Sequence, residues 1–301
     1  TLPNLSSGGP EVALYQKDTG GALVAPESGG DLGDLDIVFP VLHGPYGEDG
    51  TVQGLLKLAN IPFVGADVLG SAIGMDKDVM KRLLRDADIP IAAFRVLRNQ
   101  SDLLLQAQNA IKDLRLPAFV KPANLGSSVG VEKVSTLEEA TAAAKNAFRY
   151  DTKVLVEECI DGREIECAVL GTSDPLASIP GEIKPLKDFY SYNAKYLDEH
   201  GAELIIPAPL DPDVIARVRN TAIKTFEILC CSGMARVDMF LTPKNQIVVN
   251  EINTIPGFTK ISMYPKLWEA TGIGYTNLIS RLIDLGFERY EAEKNLLNSQ
   301  E

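Results

Sequence analysis

The chain has 301 residues, with 29 Lys and Arg against 41 Asp and Glu, giving a formal net charge of −12. That balance excludes a broad nucleic-acid or anionic-membrane surface, which needs basic residues, but leaves room for a local cationic pocket. Hydrophobic residues at 45% and charged residues at 23% suit a globular chain long enough for two or three cores, and no apolar run approaches the roughly 18 residues of a membrane span.

Residues 1–35 are rich in Gly, Ser and Pro and carry only a short apolar patch, Val12–Tyr15. Asp36–Leu42 reads as a buried strand ending in His43-Gly44, Val52–Ala59 as a short helix and Ile61–Val64 as another strand, which together suggest a parallel α/β unit. Such a unit normally has a strand and helix earlier, so a first domain lacking its opening elements is expected. Val79, Met80, Leu83, Leu84 and Ala87 recur at helical spacing over 76–87. Strands follow at 119–122, 131–134 and 154–157, and Ser135-x-x-Glu138 opens a helix over 137–148 as a capping box. Residues 164–170 are followed by a long polar loop near 184–203. A helix begins at Pro212, with Asp211 as N-cap and Val214, Val218, Ala222 and Phe226 on one stripe. Met234–Leu241 and Ile247–Asn253, joined by Thr242-Pro-Lys-Asn-Gln246, form a hairpin, and Leu278, Ile279, Leu282 and Ile283 mark a C-terminal amphipathic helix.

The hairpin carries the strongest chemical signal. Side chains alternate along a strand, so Arg236 and Asp238 share a face, as do Glu251 and Asn253. With Asp238 opposite Glu251, two like charges repel unless something positive lies between them. Two carboxylates and an amide oxygen make a hard ligand set suited to Mg²⁺ that also grips phosphates. A solvated face with an Arg–Glu pair is the plainer alternative. Asn124-Leu-Gly-Ser-Ser-Val-Gly130 between two strands can turn backbone N–H groups toward one anion, as Lys121 and Lys77 can turn their ammoniums, although ordinary turns and exposed lysines look the same. Glu157 and Glu164 are either nucleotide contacts or surface acids. Phe189–Tyr196 fits neither period and reads as a lid that would exclude water. Pro256-Gly257 turns the chain beside the hairpin, where the Gly257 N–H and Arg236 can face an oxyanion. Ser262 opens a helix whose N-terminus suits a carboxylate, or simply caps it.

Cys159, Cys167, Cys230 and Cys231 lack metal-binding spacing and predict buried free thiols in a reducing compartment. With His43 and His200 as its only histidines the chain offers little to zinc or iron, and it has no G-x-S-x-G elbow. Thr1-Leu-Pro-Asn-Leu5 has neither the basic flank nor the apolar core of an export signal, so a cytoplasmic location is expected.

Lys121-Pro-x-x-x-Gly-Ser-Ser-Val-Gly130, Arg236-Val-Asp238 and Asn250-Glu-Ile-Asn-Thr-x-Pro-Gly257 resemble the D-alanine–D-alanine ligases of the ATP-grasp superfamily. His43-Gly-x-x-Gly-Glu-Asp-Gly50, Met75-Asp-Lys77 and Tyr192-x-x-Lys-Tyr196 match in the same order, so the likeness runs from about Asp36 to Leu285. The resemblance implies an α/β and α+β chain with an ATP-grasp fold of three domains, here 1–74, 75–157 and 158–301, with nucleotide held between the last two. It implies ATP-dependent joining of two D-alanines through an acyl phosphate. Asp238, Glu251 and Asn253 would hold two Mg²⁺ ions, for which Mn²⁺ can substitute. Lys77, Lys121 and the Ser127–Ser128 backbone would grip the α- and β-phosphates, and Lys195 the γ-phosphate. Glu157 would face adenine and Glu164 the ribose, with Glu158, Ile160 and Asn250 also among the nucleotide-binding residues. Arg236 and Gly257 would stabilise the oxyanion, Ser262 and Met263 would bind the second substrate, and His43 and Glu48 would lie near the first. Ser127 would join Tyr196 in closing the lid. The family's glycine-rich N-terminal segment, whose glutamate orients the first substrate amine, has no counterpart in 1–36. The partners implied are ATP and D-alanine, with no nucleic acid or membrane, in a homodimer. Alternatives are a D-alanyl-D-lactate-type ligase, disfavoured by Tyr196, another ATP-grasp ligase, and a non-catalytic nucleotide-binding protein.

Overall fold

The computed structural model describes residues 12–16, 21–25, 30–99, 102–126, 128–185, 202–259 and 261–296. It begins with an antiparallel meander of β1 (Ala13–Gln16), β2 (Gly21–Ala25) and β3 (Gly30–Leu35). The first strand coincides with the expected apolar patch, and the second, Gly-Ala-Leu-Val-Ala, is a further apolar run that buries Ala22. Backbone pairing carries the third, with a register shift after Leu23 opposite the positive-φ Gly33. The parallel unit expected next shrinks to one bridge, Val38 beside Phe63, closed by Val64 N–H donating to Val38 O at 2.9 Å. Helices α1 (Thr51–Leu58), α2 (Val68–Met75) and α3 (Lys77–Asp86) follow.

A four-stranded antiparallel sheet comes next, built from β4 (Phe94–Arg98), β5 (Ala118–Pro122), β6 (Glu132–Val134) and β7 (Lys153–Glu158) in the order β4-β7-β5-β6. Helices α4 (Leu103–Leu114) and α5 (Leu137–Ala147) cover it with small side chains, Ala110, Ala140, Ala143 and Ala144, on Val120, Val154 and Val156. The capping box stands one residue later than expected. Thr136 is the N-cap, its hydroxyl accepting from Glu139 N–H at 3.1 Å, and the Glu139 carboxylate accepts from Ser135 N–H at 2.7 Å.

The larger sheet runs β11 (Ala202–Ile205), β10 (Gly181–Pro185), β8 (Arg163–Gly171), β12 (Gly233–Leu241), β13 (Ile247–Asn253), with β9 (Leu176–Ala177) beside β8. Alternation buries both of its faces. Ile165, Cys167, Val169, Ala235 and Val237 meet α6 (Pro212–Ile228) through the expected stripe of Val214, Val218, Ala222 and Phe226. Ala168, Leu170 and Met234 on the opposite face meet α7 (Met263–Ala270) and α8 (Tyr275–Lys294). Each large apolar side chain so buried contributes roughly 1.5–3 kcal/mol. The two sheets join where Ile91 bridges to Val249 and Val249 N–H donates to Pro90 O at 2.8 Å.

Candidate active site

The hairpin register is the one that places like charges opposite each other. Asp238 pairs with Glu251 on one side and with Glu166 of β8 on the other, so three carboxylates lie in one row across three strands. A bulge follows, because Met239 pairs with Val249 and Asn250 is left as the extra residue. Such bulges re-aim side chains and gather beside active sites. Here the polar face carries Arg236, Asp238, Glu251 and Asn253, all half-buried, with buried Val237 and Ile252 between them on the two strands.

Positive groups of the chain itself separate these acids. Arg236 grips Asp238 with two bonds of 2.7 Å and meets Glu166 at 2.9 Å, while Asn253 donates to Asp238 at 2.9 Å. The expected alternative, a cross-strand Arg–Glu contact, is therefore present, but to Glu166 rather than Glu251. Lys77 meets Glu251 at 3.4 Å and donates to Leu125 O at 2.7 Å, tying the hairpin to the Gly-Ser loop. Asn124, whose backbone and amide N–H groups donate to Asp151 at 2.7 and 2.9 Å, anchors the start of that loop. Beyond it Ser128 takes φ 58, and Gly130 (φ 69) packs so tightly that an added Cβ would lie 3.0 Å from Pro122 and Tyr150.

Five segments thus line one cleft, with Glu48, Met75, Lys77, Gly126, Glu251 and Asn253 among its walls. Glu48 arrives on a tight turn, accepting from Gly44 N–H at 2.6 Å. Its neighbour Asp49 accepts from Tyr46 and Thr51 N–H groups. Burial pushes the Glu48 carboxyl up to about 7, against the pull of the Gly44 bond and of Arg236 and Lys77. His43 stands exposed at the edge of the same turn. Gly257 abuts Ser262, and a Cβ there would lie 2.8 Å from the Ser262 hydroxyl. Ser262 is the N-cap of α7, its hydroxyl accepting from Thr259 N–H at 3.0 Å, and Met263 is buried behind it.

Two features were not foreseen in the sequence. Glu157 meets lysines: Lys121 at 2.9 Å and Lys81 at 3.1 Å, with all three side chains buried. Burial works against its charge, yet the two ammoniums hold its carboxyl below the usual range. Free thiols were expected to be buried, but Cys230 is exposed and Cys159 half-buried, leaving Cys167 and Cys231 inside. Glu158, exposed at the end of β7, bonds to Ala93, and Ile160 follows it in the connection to β8. Glu164 sits on β8 opposite Phe240. Ser127, Lys195 and Tyr196 lie outside the described residues.

Sequence reading missed Glu166 and Lys81. Glu166 is two residues from Glu164 on a strand, so period two places both on one face. Lys81 is four residues after Lys77 on α3, where the buried face comprises Lys77, Asp78, Met80, Lys81 and Leu84 and leaves Val79 outside. Spacing i, i+4 was the available signal. Among the described residues, no group of three His, Cys, Asp or Glu stands ready as a metal cluster. The hard oxygens of Asp238, Glu251 and Asn253 fit a divalent cation as a set that includes an amide.

Family models described as D-ala D-ala ligase N-terminus and C-terminus match residues 7–66 and 83–284. The chain belongs to the D-alanine–D-alanine ligase family. It is 54% identical over 278 residues to D-alanine–D-alanine ligase of Oceanobacillus iheyensis, covering 92% of this chain and 76% of that one. It is 53% identical to D-alanine–D-alanine ligase A of Escherichia coli K12, covering 91% and 75%. The solved D-alanine–D-alanine ligase of Coxiella burnetii superposes with a TM-score of 0.84 at 42% identity, over 95% of this chain and 76% of that one. The VanG D-Ala:D-Ser ligase of Enterococcus faecalis gives 0.82 at 37%, over 91% and 79%. The fold is therefore the mixed α and β ATP-grasp fold of this family, and the chain is a ligase. Likeness to the family reaches back to residue 7, well before the first quoted motif at His43.

Proposed function

We propose that this ligase joins two D-alanines to D-alanyl-D-alanine for cell-wall synthesis, with ATP cleaved to ADP and phosphate. One observation carries the reading: Lys77 reaches both the Gly-Ser loop and Glu251, so phosphate-gripping backbone and paired acids share a cleft. In the first step a D-alanine carboxylate oxygen bonds to the γ-phosphorus as the bond to ADP breaks. In the second the amine of another D-alanine attacks the acyl carbon, losing a proton as phosphate leaves.

Phosphoryl transfer asks mainly for position and positive charge. Lys77, Lys121 and the Ser127–Ser128 backbone hold phosphates, with Lys195 at the γ-phosphate. Arg236 and the Gly257 N–H face the oxyanion, and Glu166 with Asp238 keeps Arg236 in place. Asp238, Glu251 and Asn253 would hold Mg²⁺ or Mn²⁺, which when bound withdraws charge from phosphate oxygens. Ser262 at the helix N-terminus, with Met263, receives the second carboxylate, and His43 and Glu48 border the first substrate. Glu158, Ile160, Glu164 and Asn250 complete the nucleotide contacts, and Tyr196 with Ser127 closes the lid. We assign the chain to the cytoplasm, where ATP is available, and divide it into domains at 1–74, 75–157 and 158–301.

ADP release is expected only with D-alanine and Mg²⁺ both present, and hydroxylamine should trap the acyl phosphate as a hydroxamate. ADP release driven equally by L-alanine, or no hydroxamate during turnover, would refute this reading.

A further inference from the structure

Lys81 is completely buried, one helical turn beyond Lys77 on α3, and no step described above uses it. Its ammonium lies 3.1 Å from one oxygen of Glu157, and Lys121 takes the other at 2.9 Å. Among the described residues each of these lysines meets a single carboxylate, and it is the same one. Two buried ammoniums on one carboxylate leave a positive charge unbalanced, and burying net charge is costly unless an anion completes the set. With Lys121 alone, Glu157 would form a closed neutral pair, and that pair would hold a phosphate weakly.

We propose that Lys81 is a positioning residue of the nucleotide site, sharing the Glu157 carboxylate so that Lys121 retains charge for a phosphate. This rests on the nucleotide reading above and assigns a role to a residue that never touches the ligand. Burial lowers the Lys81 ammonium to about 8 against the pull of Glu157, so it still carries its charge at neutral pH.

Lys81→Met fills the same slot without charge. Calorimetric titration with ADP and with inorganic tripolyphosphate, which lacks adenine, should show at least ten-fold weaker binding for both. In turnover, KM for ATP should rise by a similar factor while kcat at saturating ATP and KM for D-alanine stay within about two-fold. A role confined to packing would not produce that split. The double variant Lys81→Met/Glu157→Gln restores the charge count through Lys121 alone, so tripolyphosphate binding should return to within about three-fold of wild type. Wild-type affinity in Lys81→Met overturns the proposal. So does a double variant at least ten-fold weaker than wild type for tripolyphosphate, a comparison that holds even if the single variant does not fold. A wild-type protein that binds no ADP would instead remove the nucleotide reading itself.

Discussion

Glu48 shows how a single residue reports on this cleft. Its ordinary carboxyl value of 4.5 is raised to about 7 in the fold, burial being the largest cause. Between those values the folded protein keeps a proton that the unfolded chain gives up, so stability falls as pH rises through the window. At a rate of about 1.4 kcal/mol per unit, the loss above pH 7 reaches at most about 3 kcal/mol. Glu48→Gln should flatten this slope, and urea denaturation of nucleotide-free protein at pH 5, 6 and 7 measures it. Parallel curves for the two proteins would show that Glu48 titrates normally. The thiols are a contrasting case at this scale. Burial pushes Cys167 up to about 12, which leaves it inert as a nucleophile.

At the scale of elements, the hairpin and α3 show opposite degrees of legibility. Period two in Arg236-Val-Asp238 placed both side chains on one face, and that face is where they lie. Its counter-charges came from elsewhere in the chain, Glu166 on β8 and Lys77 on α3, and no local pattern announces such partners. Helix α3 was expected to bury Val79 on an apolar stripe. Instead it turns Lys77 and Lys81 inward and leaves Val79 exposed, because the acids of two sheets reward buried ammoniums there. Helix α5 tests local capping. Thr136→Ala should cost about 1 kcal/mol, read as a lower urea midpoint, whereas Ser135→Ala should leave it nearly unchanged. Equal losses for both would contradict the observed cap.

Over the whole molecule, α8 closes the fold by returning to the N-terminal region. Arg289 donates to Phe63 O at 2.7 Å and to Gly65 O, lies 4.2 Å over the Phe63 ring, and reaches Ser232 at 3.1 Å. Gly286 allows the approach, since a Cβ there would sit 2.7 Å from Ile37. The same region carries exposed apolar side chains, Leu58 at 82%, Leu69 at 57% and Leu55 at 52%. The homodimer implied by the family resemblance can be tested on this surface. Leu58→Glu should shift the protein toward monomer in sedimentation velocity at micromolar concentration. An unchanged distribution would place the contact elsewhere.

The sequence by itself determined helices α3, α5, α6 and α8 and the hairpin with its polar face, because these depend on local periodicity and turn chemistry, but it did not disclose α4 over Leu103–Leu114. Nor did it disclose the meander over 13–35, whose third strand, Gly-Asp-Leu-Gly-Asp-Leu, is fixed by backbone pairing rather than by an apolar pattern. Only the tertiary structure decided which charge answers which. Glu157 went to two lysines, and Arg236 to Asp238 and Glu166. Electrostatic partners are chosen by distance in space and by exclusion of water, and neither is written along the chain.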